Sequence, residues 1–182
     1  MLRGRIGVMA YHGGNLELMT DVIAERVAEA AGASFYAVRQ PVGMRDHLSS
    51  TKVRPADSDR LAAFIEHVEI VVTVHGFGRM GLFSALLLGG RNRRFAEHVG
   101  QSLRRTLPAY DIRTDLDSIP PALRGQHPDN PVNLPPDDGV QIELPPRVRG
   151  SSPLWWDWEG PGLTPHTESL IEGLVDAVTS WR

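Results

Sequence analysis

Two histidines and two glutamates in this sequence have the residue types and positions needed for hydrolytic metal chemistry. His12 and His75 each end a strand-like segment, Glu143 lies near the end of a third, and Glu17 follows His12 by five positions. In open α/β sheets, sites form at the carboxyl ends of the strands. Two imidazoles and a carboxylate can hold a catalytic zinc ion, and a further free glutamate can act as general base. The residues therefore predict a metal-dependent hydrolase, although strand-end histidines also serve simply as hydrogen-bonding groups.

The strands that carry these residues are predicted from the hydrophobic pattern. Gly4–Ala10 alternates and runs into a glycine turn, whereas Glu69–Val74 is almost continuously β-branched, which is typical of a central buried strand. Gly139–Leu144 alternates again, with Gln141 and Glu143 facing away from its apolar residues, so that Glu143 can point into an open cleft. Further strands are predicted at Ser34–Val38, Leu86–Leu88 and, more weakly, Tyr110–Thr114.

Helical spacing of apolar residues predicts four helices between the strands. They cover Thr20–Ala31, a segment that begins at Asp57 or Ser58, Arg91–Leu107, and a last segment that begins at Thr164-Pro165. Strands that alternate with helices indicate an α/β fold: a single domain over residues 1–182, with an open mixed, mainly parallel sheet and flanking helices. The proline-rich segment Pro120–Asp138 is predicted to be a long, ordered, functional loop.

Composition narrows the class of protein. The 182 residues are 41% hydrophobic and 23% charged, with a formal net charge of −3, which argues against a disordered polyanion and an electrostatic nucleic-acid binder. Without cysteine there are no disulfides or thiolate metal sites. No signal-peptide pattern and no apolar segment of membrane-spanning length is visible, so a cytoplasmic protein that does not enter a membrane is expected. The absence of a Gly-x-Ser-x-Gly motif disfavours a serine hydrolase.

An ordered set of short motifs resembles a known family. The set comprises His12-Gly-Gly-Asn-Leu-Glu-Leu-Met-Thr20, His47-Leu-Ser-Ser-Thr51, Val72-Thr-Val-His-Gly76, Leu88-Gly-Gly90, Asn130-Pro-Val-Asn133, Gly139-Val-Gln-Ile-Glu-Leu144 and Arg149. In this order they are similar to the poly-γ-glutamate hydrolases, whose relatives were once labelled phage-related replication proteins. The resemblance covers about residues 5–150, and the tryptophan-rich segment and last helix in 151–182 lie outside it.

The resemblance implies a fold and zinc site like those of the zinc carboxypeptidases. Carried over, His12, Glu17 and His75 would bind one zinc ion per chain, and Glu143 would be the catalytic carboxylate. Such a zinc ion lowers the pKa of a bound water and polarises the amide carbonyl, while the glutamate moves the proton. Leu134 and Asn92 stand where relatives often carry arginine and aspartate, which leaves the identity of the substrate open.

The expected substrate is an anionic, glutamyl-type amide. Arg79, Arg91 and Arg149 are alternative candidates for binding its carboxylate or the oxyanion, because guanidinium binds such groups bidentately. Asn130 and Asn133 could present amide groups to it from the long loop. His47 is a candidate for supporting the metal ligands from behind.

Other interpretations remain open from the residues alone. The protein could instead hydrolyse a small N-acylglutamate or N-acylaspartate, or be a non-catalytic metal-binding accessory protein, although the latter needs no free Glu143. Glu17 could simply favour a helix N-terminus, and Glu143 could form an ion pair with Arg147. The role of Trp155–Trp158 and the oligomeric state are not predicted.

Overall fold

Six strands form one mixed sheet in a computed structural model that describes residues 1–182. Their order across the sheet is β2-β1-β3-β6-β4-β5, and β2, β1, β3 and β6 are mutually parallel. The short β4 runs antiparallel to β6 and parallel to β5. The strands are β1 (Ile6–Gly14), β2 (Ser34–Gln40), β3 (Ile70–Gly76), β4 (Ala85–Leu88), β5 (Asp111–Arg113) and β6 (Gly139–Leu144). The predicted α/β class with a mixed, mostly parallel sheet is confirmed.

Four helices flank the sheet, and their ends follow ordinary capping rules. Gly32 ends the first helix in the left-handed conformation, with φ 65°. Asn92 begins the third by accepting a hydrogen bond from the Phe95 amide at 2.8 Å, and Pro165 occupies the first turn of the fourth. None of them is long and apolar enough to cross a membrane. The helices are α1 (Thr20–Ala31), α2 (Asp59–His67), α3 (Arg93–Thr106) and α4 (Pro165–Ser180).

The two faces of the sheet are covered differently. Helices α1, α3 and α4 pack on one face and form the main core with the alternating residues of β1, β3 and β6. Val140, Ile142 and Leu144 all point into this core and are fully buried, as the alternation predicts.

The opposite face carries a smaller core. The single helix α2, which has nine residues, packs there through Leu61 and Phe64 against Met9 and Val71. Val71 and Met9 lie toward the amino-terminal half of their strands, so α2 leaves the carboxyl-terminal half of this face to loops. That uncovered half is where the polar residues of β3 and β6 lie.

Candidate metal centre

His12, Glu17 and His75 converge on one point at the carboxyl ends of β1 and β3. The Nδ1 atom of His12 lies 3.0 Å from Oε1 of Glu17, and Nδ1 of His75 lies 3.3 Å from Oε2 of the same carboxylate. Candidate ligand atoms of all three residues lie within 4.8 Å of one another. The three side chains could therefore hold a metal ion.

Local backbone features bring His12 and Glu17 into the group. Between Ala10 and Gly13 the register of β1 on β2 shifts by one residue, which is a β-bulge at Tyr11 and His12. Gly14 then takes a left-handed conformation with φ 69°, and the amide of Glu17 donates to the His12 carbonyl at 3.0 Å. The chain turns back before α1 begins, so Glu17 is not a first-turn helix residue.

The hydrogen bond at Nε2 of His12 determines the state of Nδ1, the nitrogen that faces Glu17. Nε2 of His12 lies 2.8 Å from the Leu48 carbonyl oxygen, which can only accept, so Nε2 carries the hydrogen. In a neutral ring Nδ1 then presents a lone pair to Glu17, and two acceptors face each other at 3.0 Å. Either a proton on Nδ1 or a metal cation between the two atoms resolves this conflict. Ligands of one tetrahedral zinc lie about 3.4 Å apart at ordinary bond lengths, so the residues fit such an ion.

Glu143 lies directly beside this group. It pairs in register with His75 across β3 and β6, and its Oε1 accepts a 2.9 Å hydrogen bond from Nε2 of Gln141. Glu143 is only 5% exposed, so the expected open cleft wall is instead a buried position under the surrounding loops. It forms no ion pair with Arg147, which was the alternative interpretation.

The two carboxylates have oppositely shifted pKa values. Burial alone would raise the pKa of Glu17, but hydrogen bonds from the protonated imidazoles of His12 and His75, together with their positive charges, outweigh it and lower the pKa to about 2. Burial raises the pKa of Glu143; His75 partly offsets this increase, and the negative charge of Glu17 adds to it. A permanently ionised carboxylate beside one that can take up a proton is the division between ligand and base that hydrolysis needs.

Arg149 is buried against the same site. Its Nε donates to the Leu144 carbonyl at 3.1 Å, and Nη1 donates to the carbonyl of Leu18. The guanidinium packs on Gly76, where an added Cβ would lie 2.7 Å from Cζ of the arginine. Burial lowers the pKa of Arg149, and the charges of Glu17 and Glu143 partly offset this. Arg149 therefore places a positive charge close to both carboxylates.

The other predicted residues lie at varying distances from the centre. The ring of His47 lies 4.9 Å from the ring of His12, measured between centroids, although His47 is exposed. Arg79 is exposed in the segment after β3 and makes no side-chain hydrogen bond or ion pair.

The structure does not bring Arg91 to this centre. Because β4 runs antiparallel to β6, the residues after β4 lie at the opposite end of the sheet, where the Asn92 amide donates to the Gly139 carbonyl at 3.1 Å. Gly139 and Glu143 are four strand residues apart, about 13 Å. Arg91 instead approaches Asp138, at 3.7 Å.

The amide groups of Asn130 and Asn133 are used within the protein rather than presented to a ligand. Asn133 accepts from the Arg91 amide at 3.0 Å and donates to the carbonyls of Gly125 and His127. Asn133 therefore joins separate parts of the long loop Pro120–Asp138 to one another and to the segment after β4. Asn130 accepts from Tyr11 and donates to Gln141. This differs from the expectation that both asparagines contact substrate.

Three neighbours of the centre were not predicted from the sequence: Tyr11, Gln141 and the Leu48 carbonyl. Nε2 of His75 lies 2.9 Å from the Tyr11 hydroxyl. Gln141 could have been found, because strand alternation places it on the face of Glu143. Tyr11 could also have been found, because alternation places it on the face of Met9, and two residues beyond the register pair Met9–Thr73 it meets His75.

Comparison with known proteins agrees with this architecture. The sequence matches the family described as poly-gamma-glutamate hydrolase over residues 2–152. A solved bacteriophage poly-gamma-glutamate hydrolase superposes with a TM-score of 0.79 at 20% identity, over 97% of this chain and 84% of that one. A zinc-free structure of YndL gives 0.75 at 19% identity, over 97% and 85%. The sequence matches none of the curated proteins with which it was compared.

The family match and the shared fold place this protein among the hydrolases. The match extends over most of the 182 residues, and the chain belongs to the poly-γ-glutamate hydrolase family.

Proposed function

We propose that this protein is a zinc-dependent amidohydrolase that cleaves the γ-glutamyl amide bond of poly-γ-glutamate or of a γ-glutamyl peptide. The observation that carries the proposal is the convergence of His12, Glu17 and His75 beside a buried, unpaired carboxylate, Glu143. Membership of the family supports the substrate class.

His12, Glu17 and His75 would hold the zinc ion, each through the atom that already faces the common point. When bound, zinc supplies a Lewis acid that activates water and polarises the scissile carbonyl. The shared Glu17 carboxylate is fixed from behind by the Gly76 amide, which donates to Oε2 at 2.8 Å. This hydrogen bond keeps the candidate ligand oriented before any metal arrives.

Glu143 would act as general base and then as general acid. Its carboxylate takes the proton of the attacking water and delivers it to the leaving nitrogen, which is the ordinary role of a positioned carboxylate. The raised pKa of Glu143, caused by burial, suits a group that must both accept and release a proton near neutral pH.

Arg149 would supply the positive charge for the substrate. Its Nε and Nη1 are occupied by backbone carbonyls, which leaves Nη2 for the oxyanion or for a glutamyl carboxylate. A cavity of about 500 Å³ lies between the loops at Ser49–Thr51 and Pro121–Pro128 and is lined by Gln141, the hydrogen-bond partner of Glu143. Its size lies within the ordinary range for ligand pockets, which supports a substrate that extends beyond the cleaved bond.

The decisive experiment is hydrolysis by protein that has been stripped with chelator and reloaded with zinc. Poly-γ-glutamate is followed by size-exclusion chromatography, beside γ-glutamyl dipeptides, N-acetylglutamate and N-acetylaspartate. Zinc-dependent shortening of the polymer supports the proposal. Turnover of the acyl amino acids alone would assign the protein to small-molecule deacylation, and no turnover by zinc-loaded protein would reject an enzymatic role.

A further inference from the structure

An unbroken series of hydrogen bonds joins the candidate ligand His75 to the candidate base Glu143 through three buried side chains. Tyr11 Oη lies 2.9 Å from Nε2 of His75 and 3.1 Å from Oδ1 of Asn130. Nδ2 of Asn130 donates to Oε1 of Gln141 at 2.8 Å, and Nε2 of Gln141 donates to Glu143 at 2.9 Å. We call Tyr11, Asn130 and Gln141 the polar bridge.

Backbone groups determine which side-chain atoms of Asn130 and Gln141 donate and which accept. The Val132 amide, which can only donate, points to Oδ1 of Asn130 at 3.3 Å, so this atom is the amide oxygen. Nδ2 of Asn130 must then face Gln141 as a donor, and Oε1 of Gln141 accepts. Nε2 of Gln141 consequently faces Glu143 and the Leu123 carbonyl, at 3.4 Å, and both of these are acceptors.

The same hydrogen-bond direction determines which ring nitrogen of His75 carries the hydrogen. Since Oδ1 of Asn130 is an acceptor, the Tyr11 hydroxyl gives its single proton to Asn130 and turns a lone pair to His75. Nε2 of His75 therefore carries a hydrogen, and Nδ1 is the atom that faces Glu17. The orientation agrees with that of His12, whose Nε2 is fixed by the Leu48 carbonyl.

We propose that Tyr11, Asn130 and Gln141 are positioning residues that set the metal-binding tautomer of His75 and hold the Glu143 carboxylate in place. The inference rests on the proposed hydrolase function. All three side chains are buried, with 3–4% of their surface exposed. Each interruption therefore takes a hydrogen-bond partner from a buried polar group.

Interrupting the bridge at its two ends should change different quantities: zinc affinity at His75 and kcat at Glu143. Tyr11→Phe removes the acceptor for Nε2 of His75, and zinc affinity should fall by about 10- to 100-fold, as when partners of metal ligands are removed elsewhere. Gln141→Met keeps the size but removes the donor to Glu143. The kcat should fall by about 10- to 100-fold, with KM and zinc affinity within about twofold of wild type.

Asn130→Asp tests the direction itself. Aspartate has the shape of asparagine but cannot donate to Gln141 while it accepts from Tyr11 and Val132. We expect it to lower kcat as much as Asn130→Ala does, whereas a side chain that only fills space would be rescued by the isosteric change. Thr73→Val is the matched control, because Thr73 pairs with Gln141 across the strands but its buried hydroxyl has no partner. It should leave zinc affinity and kcat unchanged.

Zinc affinity is measured by competition with a chromophoric chelator, and folding of each variant by circular dichroism. A second reading independent of turnover is hydrogen exchange of the His75 Nε2–H, observed by NMR in zinc-loaded protein and expected to accelerate in Tyr11→Phe. Unchanged zinc affinity and exchange in folded Tyr11→Phe would overturn the role at His75. An Asn130→Asp or Gln141→Met protein with wild-type kcat would overturn the role at Glu143.

If wild-type protein binds zinc but hydrolyses no substrate, the proposed function fails by itself. The two readings on Tyr11→Phe do not depend on turnover and still decide whether the bridge supports His75.

Discussion

His75 and Glu143 are register partners on the neighbouring parallel strands β3 and β6. Both point to the face of the sheet on which α2 packs, in the carboxyl-terminal half that α2 does not cover. Adjacent strands lie about 4.8 Å apart. The separation between a candidate metal ligand and the candidate base is therefore set by the sheet. Two paired strands in the middle of the sheet define the geometry that hydrolysis depends on.

Zinc binding should depend on His75 and not on His47. We expect about one zinc per chain in purified protein, removable by chelators, and loss of most of this zinc in His75→Ala. His47→Ala is the control, because His47 lies near His12 but is exposed and outside the convergent group. Elemental analysis after identical dialysis gives the comparison, and equal zinc in wild type and His75→Ala would refute the assignment.

Glu143 and Glu17 should respond differently to the same chemical change. Glu143→Gln keeps the shape but cannot accept a proton, so kcat should fall by roughly 10²–10⁴ while zinc content stays near wild type. Glu17→Gln removes a charged ligand and should lower zinc affinity together with activity. A metal-free Glu143→Gln protein would make Glu143 a ligand, and an active one would remove it as the base.

Glu143→Gln should also stabilise the metal-free protein in a pH-dependent way. Burial raises the pKa of Glu143 in the folded state above the ordinary value of 4.5. Ionisation therefore costs folding stability that the protonated form does not lose, beginning as the pH rises above about 4.5 and levelling off beyond the raised pKa. The stability advantage of glutamine should grow over that interval. Urea unfolding at a series of pH values measures it, and a pH-independent difference would contradict the prediction.

Gly76→Ala should displace Arg149 while it keeps the backbone amide that donates to Glu17. The new Cβ would lie 2.7 Å from the arginine Cζ, so the guanidinium must leave its two carbonyl partners. Hydrogen bonds of charged groups contribute about 1.5–3 kcal/mol, so kcat/KM should fall by about 10- to 100-fold with zinc content unchanged. Gly78→Ala is the control, since nothing lies within 4 Å of its Cβ position. Equal kinetics in both variants would exclude Arg149 from substrate binding.

Much of the scaffold follows from local sequence signals. The alternation of β6 predicts which residues face the core, and the capping residues Gly32, Asn92 and Pro165 mark the helix ends within two positions. These signals are reliable because each depends on the few residues around it. That His12 and His75 lie at the same edge of the sheet also follows, since parallel strands share a carboxyl edge.

Features that depend on distant parts of the chain could not be predicted. The hydrophobic residues of β4 suit either strand direction, so the reversal that carries Arg91 to the far end of the sheet has no local signal. The β-bulge that brings His12 onto the face of Tyr11 and His75 depends on pairing with β2. The burial of Glu143 depends on loops from distant parts of the chain, including Ser49–Thr51 and Pro121–Pro128, which cover the carboxyl-terminal half of this face of the sheet.

The acceptor for His12 belongs to the backbone of residue 48, and a backbone group cannot be removed by exchanging a side chain. Leu48 itself is 48% exposed, and many side chains would serve equally well there. Shortening or lengthening the loop between β2 and α2 by one residue would place a different peptide group opposite the imidazole. The side chain at position 48 is therefore free to vary, whereas the number of residues that leads up to it is not.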